Sequence, residues 1–189
     1  VGSWLFVRAL SVRWKNPYGQ TLLYLLLLFS PISLTQLVTQ RLYRMAIVPG
    51  MVLVVFSGMI GLTLRKELPL KMQLPWAVLT GVALAFFWQI REDSVWILPF
   101  TAVMTVWNVG YVILALHKNR TGRQLLLQCL MLLLPILLLF GGNMTISAIN
   151  QVHYGVFLTN DRTEGNFAEL MSLLYHLQGN TKAGSDIWI

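Results

Sequence analysis

Apolar residues in this chain gather into blocks separated by short polar or charged connectors. The blocks exceed the roughly 10–14 residues that suit a buried core helix and approach the 20 or so needed to cross the hydrocarbon slab of a bilayer. Five of them predict transmembrane helices over residues 21–40, 45–64, 75–90, 95–116 and 124–148. Lipid offers backbone groups no hydrogen bonds, so such segments must be helical. The fold class expected is all-α: a polytopic membrane bundle of about five transmembrane helices with a short extramembrane C-terminal segment.

Local signals refine the pattern. Residues 1–19 mix Trp4, Leu5, Phe6 and Val7 with Arg8, Arg13 and Lys15, which suits an interfacial helix or the tail end of a preceding span. Asn16-Pro17 predicts a break before the first span, and Pro31 is tolerated inside it. Ser57 and Gly61 in the second span form a small-xxx-small pair that would let another helix approach. Pro75 is expected at the first turn of the third span. Trp96 and Tyr111 fall where aromatic rings meet headgroups, and Gly141-Gly142-Asn143 predicts an end or a kink in the fifth span. From 149 to 189 the chain is expected outside the bilayer. There Asn166 would cap an amphipathic helix over 167–178, with Phe167, Leu170, Met171, Leu174 and Leu177 on one face. No internal repeat is apparent.

Composition agrees with a lipid-embedded chain. Hydrophobic residues make up 56% of the 189 positions and charged ones 11%, with a mean hydropathy of +0.65, which argues against a water-soluble domain. The formal charge of +7 would suit nucleic acid only if its 14 Lys and Arg shared one polar face. They lie instead in connectors between apolar blocks, so the charge reads as topology and no nucleic-acid partner is expected. Nine basic residues (Arg8, Arg13, Lys15, Arg65, Lys66, Lys71, Lys118, Arg120, Arg123) fall in one set of alternating connectors and five in the other. The positive-inside rule then predicts a cytoplasmic start and an extracytoplasmic tail. Val1 in place of Met at the start and the ending Ser185-Asp186-Ile187-Trp188-Ile189 read as a piece of a longer protein.

Candidate chemistry concentrates at the predicted outer edge. Arg91-Glu92-Asp93 places three ionisable residues between apolar runs, where burial is costly unless the groups are paired or hydrated. A guanidinium there could hold a phosphate bidentately, and a carboxylate could accept a proton or bind a divalent cation. A short loop that simply needs charges to stay in water explains the same residues equally well. Arg41 and Arg44, on the same predicted side, could bind an anionic headgroup, although unspecific anchoring is the simpler role. His153 and Tyr154, where the fifth span emerges, could hydrogen-bond a polar substrate or serve acid–base chemistry, against a plain structural role. The histidines show no metal-ligand spacing, Cys129 has no second cysteine to pair with, and no phosphate loop or dinucleotide pattern occurs. The triplets at Asn119 and Asn143 fit glycosylation acceptors, but one is predicted cytoplasmic and the other too close to the bilayer.

The stretch from Asn16-Pro17 to Arg65, with Thr80-Gly81 through Arg91-Glu92-Asp93-Ser94 to Leu98-Pro99-Phe100, resembles the middle of multi-span polyprenyl-phosphate-dependent glycosyltransferases of the GT-C type. In that family a Gly-containing span ends at the outer face in a polar turn and re-enters through a run closing on Leu-Pro. The resemblance implies sugar transfer from a polyprenyl-phosphate-linked donor, with membrane lipid around the bundle and Arg91 near the donor phosphate. The family's catalytic acid lies in a first outer loop that the matched stretch does not contain, so Glu92 and Asp93 do not inherit that role. Two other classes remain open. A transporter segment would predict polar span centres and broken helices in paired positions. A non-enzymatic scaffold or assembly subunit would use the tail helix as its binding surface.

Overall fold

The computed structural model describes residues 1–30, 47–90, 94–116, 121–159 and 169–174. Among them every regular element is helical and no strand occurs. The helices are α1 (Gly2–Leu10), α2 (Pro17–Leu28), α3 (Val48–Arg65), α4 (Leu70–Ile90), a 3-10 turn at Ser94–Ile97, α5 (Leu98–Leu116) and α6 (Gly122–Tyr154), with residues 169–174 also helical. Four stretches among the described residues are long and apolar enough to cross a membrane: α3, α4, Ser94–Ala115 and α6. The block at 21–40 is described only as far as residue 30, and the helix predicted at 167–178 only over 169–174.

The side-chain distribution supports lipid as the outer solvent. Along α5, Val103, Val106, Trp107 and Leu114 are exposed, the last at 80%, whereas Thr101, Thr105 and Asn108 are buried. A water-soluble helix shows the opposite arrangement. On α6, Leu126, Leu130, Leu137 and Phe140 are likewise exposed while Gln128 is fully buried. Apolar surface turned outward with polar groups turned inward is the arrangement a bilayer favours.

The chain divides into two compact units, Val1–Gly142 and Asn143–Ile189, with α6 crossing the boundary. In the first, α3 and α4 form the central pair. Gly58 and Gly61 allow the approach: a Cβ on Gly58 would collide with Thr80 Oγ1, and one on Gly61 would collide with the Trp76 ring. Of the expected Ser57–Gly61 pair, Gly61 stands at this contact with Gly58 beside it, while the Ser57 hydroxyl bonds back to the Leu53 carbonyl. Gly81 plays the same part toward α6, where a Cβ would meet the Leu138 side chain at 2.6 Å. Met59, Leu62, Leu84, Phe87 and Ile97 fill the core around these contacts.

α1 runs along α3 in the same direction, with Gly2 against Gly50 and Leu53 and the last turn of α1 beside Arg65. This helix lies alongside α3 rather than across its end. Asn16 then caps α2, its Oδ1 accepting from the Tyr18 and Gly19 amides at 3.0 and 3.4 Å, with Pro17 at the first helical position.

Two boundaries differ from expectation. The third span begins at Leu70, which places Pro75 inside α4 rather than in its first turn. Proline removes one backbone bond, a loss that a membrane helix packed among neighbours tolerates. Of the end or kink expected at Gly141-Gly142-Asn143, an end does not occur, since α6 continues past residue 148 to Tyr154. Two glycines cost a helix about 1 kcal/mol each relative to alanine, but Gly142 lets Ala85 approach so closely that an added Cβ would stand 2.9 Å away.

In the second unit, Gly155 (φ +72°) closes α6 in the left-handed conformation, its amide bonded to the Gln151 carbonyl. The chain then folds back along the helix, where Asn150 Nδ2 donates to the Leu158 carbonyl at 2.7 Å and Ser147 Oγ lies 3.3 Å from Thr159 Oγ1.

Candidate functional site

The α3–α4 turn is the polar hub of the first unit. Helix ends leave carbonyls without partners, and here two glutamines from spanning helices satisfy them. Gln73 Nε2 donates to the carbonyls of Leu68 (2.7 Å) and Lys66 (3.3 Å), while Gln128 Nε2 donates to the Lys66 carbonyl and to Gln73 Oε1, both at 2.8 Å. Both glutamines are fully buried. From α5, Tyr111 Oη donates to Glu67 Oε1 at 2.6 Å, and the Lys66 ammonium sits 3.6 Å from the centre of the Tyr111 ring. Burial holds the Lys66 ammonium below the usual lysine range; the Glu67 carboxylate works against that shift and Arg13 adds to it.

Beside the hub, Arg65 is a buried cation with 6% of its surface exposed. Its Nη1 donates to the carbonyls of Ala9 (3.1 Å) and Gly61 (3.3 Å), and its Nη2 to that of Arg8 (3.0 Å). Arg65 therefore caps the C-terminal end of α1 while its guanidinium stacks 4.4 Å from the Trp76 ring centre. Arg8 stacks on Trp4 at 4.9 Å. Both arginines line a groove of about 370 Å³ between α1 and α4, walled by Trp4, Leu5, Pro75 and Leu79.

One further polar face lies inside the bundle. Asn108 Nδ2 donates to Thr63 Oγ1 at 2.9 Å, yet Asn108 Oδ1 and Thr105 Oγ1 are buried with no hydrogen-bond partner. Sequence reasoning did not single out Gln73, Gln128, Arg65, Asn108 or Thr105. The available signal was the presence of isolated amides and hydroxyls inside apolar blocks, which in lipid must turn inward.

Of the residues singled out from sequence, Arg41, Arg44, Arg91, Glu92 and Asp93 lie outside the described residues. The described residues on either side of 91–93 are well packed. Phe87 is fully buried, Trp96 meets it edge-on at 5.5 Å between ring centroids, and Ser94 and Ile97 in the 3-10 turn are buried. His153 and Tyr154 form the exposed end of α6, their rings 6.4 Å apart between centroids. Among the described residues no cluster of His, Cys, Asp and Glu gathers to hold a metal ion. Comparison with known protein families, with characterised proteins and with solved structures returned no match.

Proposed function

We propose that this chain is the membrane-embedded part of a glycosyltransferase that moves a sugar from a polyprenyl-phosphate-linked donor at the outer membrane face. The basic α3–α4 turn then faces the cytoplasm, as the positive-inside rule requires, and residues 91–93 face outward. The observation that carries the reading is the packing on both sides of the charged turn. Phe87 on one flank is buried, and Ser94 and Ile97 on the other are buried, with Trp96 edge-on to Phe87, so the described residues on either side of 91–93 are anchored in the bundle. Arg91 is the residue proposed to hold that phosphate, with Glu92 and Asp93 available to a proton or a divalent cation.

The test is glycan transfer by the full-length protein carrying Arg91→Ala or Asp93→Ala, with membrane insertion measured alongside. Loss of transfer with insertion retained supports the assignment, and unchanged transfer in both variants removes it. A second reading, a transporter segment, draws support from the orphaned polar atoms of Asn108 and Thr105 inside a span. It predicts that Asn108→Leu abolishes solute movement into vesicles that hold the protein, and that Arg91→Ala leaves it unchanged.

A further inference from the structure

The groove between α1 and α4 has the polarity of a lipid. On α4, Met72, Pro75, Trp76 and Leu79 follow one helical stripe, extending roughly 10 Å inward from the α3–α4 turn at 1.5 Å per residue. On α1, Leu5 and Trp4 continue the apolar wall to a similar depth, and Arg8 stands at the same end as Arg65. The cationic end is therefore at the membrane boundary and the apolar end is within the slab.

Two cations share that end of the groove. Arg65 spends three of its N–H donors on backbone carbonyls, and the charged group that acts on it is another cation, Arg8. Two guanidiniums lining one groove repel each other, and an anion held between them would relieve that repulsion. Arg8 is exposed and its only described side-chain contact is the Trp4 ring, so its donors remain available for a phosphate. The rims formed by Trp4 and Met72 are themselves exposed, at 51% and 52%, and open onto the surface that the leaflet covers.

From this we infer that the α1–α4 groove binds an anionic phospholipid of the surrounding leaflet, its phosphate on Arg8 and in the field of Arg65 and its acyl chains along Leu5, Pro75 and Leu79. The site lies at the opposite end of α4 from residues 91–93 and does not depend on the glycosyltransferase reading.

The test uses full-length protein in detergent, titrated with phosphatidylglycerol, phosphatidylcholine or inorganic phosphate and followed by thermal shift and by retention of lipid in native mass spectrometry. Phosphatidylglycerol is expected to bind and stabilise where the other two do not. Arg8→Gln is expected to weaken it about tenfold, the loss of one charge-assisted contact, and Arg13→Gln, an equal loss of charge outside the groove, to leave it nearly unchanged. Equal retention of phosphatidylcholine, a shift produced by phosphate alone, or equal weakening by Arg8→Gln and Arg13→Gln would overturn the inference.

Discussion

Gln128 on α6 donates to Oε1 of Gln73 on α4 across 2.8 Å, and both amides also cap carbonyls of the α3–α4 turn. One pair of side chains thereby joins three spanning helices at a single level. Interhelical hydrogen bonds in membranes average about 0.6 kcal/mol and reach about 1.7 kcal/mol. Here the bonds are coupled, so a double-mutant cycle of Gln73→Leu and Gln128→Leu should return an interaction of about 1 kcal/mol. Unfolding in a denaturing detergent titration measures it, and strictly additive losses would show that the two amides act independently.

The α3–α4 contact predicts a contrast between glycines. A Cβ on Gly58 would collide with Thr80, including its backbone Cα at 3.3 Å, whereas one on Gly110 would meet nothing within 4 Å. Gly58→Ala should lower stability by about 1–3 kcal/mol through overpacking. Gly110→Ala should be neutral or stabilising by up to about 1 kcal/mol, since alanine is the better helix former. Thermal unfolding of the two variants side by side checks the ordering.

Arg65 is expected to resist conservative replacement. Its planar fork reaches the carbonyls of Arg8, Ala9 and Gly61 while lying over Trp76, a geometry that a lysine ammonium cannot reproduce. Arg65→Lys should therefore cost about 2 kcal/mol by leaving α1 carbonyls unpaired, and limited proteolysis should release the α1 region first. Stability equal to the parent protein would mean that the cap is dispensable.

Much of this architecture was legible in the sequence because bilayer thickness dictates block length. The second and fourth blocks, expected at 45–64 and 95–116, correspond to α3 and to Ser94–Ala115. Pro75 and Gly141-Gly142 both lie inside helices for a common reason: residues that end helices in water can sit within them where neighbours pack closely, as Ala85 does on Gly142. The hub was not legible at all. Gln73 and Gln128 are 55 positions apart in the chain, and only the antiparallel turn of α3 into α4 and the packing of α6 bring their amides to the same carbonyls. The arginine pair was hidden in a similar way. Arg65 read as a charge closing a span, and its role as the cap of α1 depends on two helices running side by side.

The central claim is that the chain crosses the bilayer so that the α3–α4 turn and residues 91–93 face opposite sides, the turn inward. Single cysteines at Glu67 and Asp93, in a Cys129→Ala background, report this directly through a membrane-impermeant maleimide applied to intact cells. The account predicts labelling of Asp93→Cys from outside and of Glu67→Cys only after permeabilisation, whereas labelling of both from the same side would contradict it.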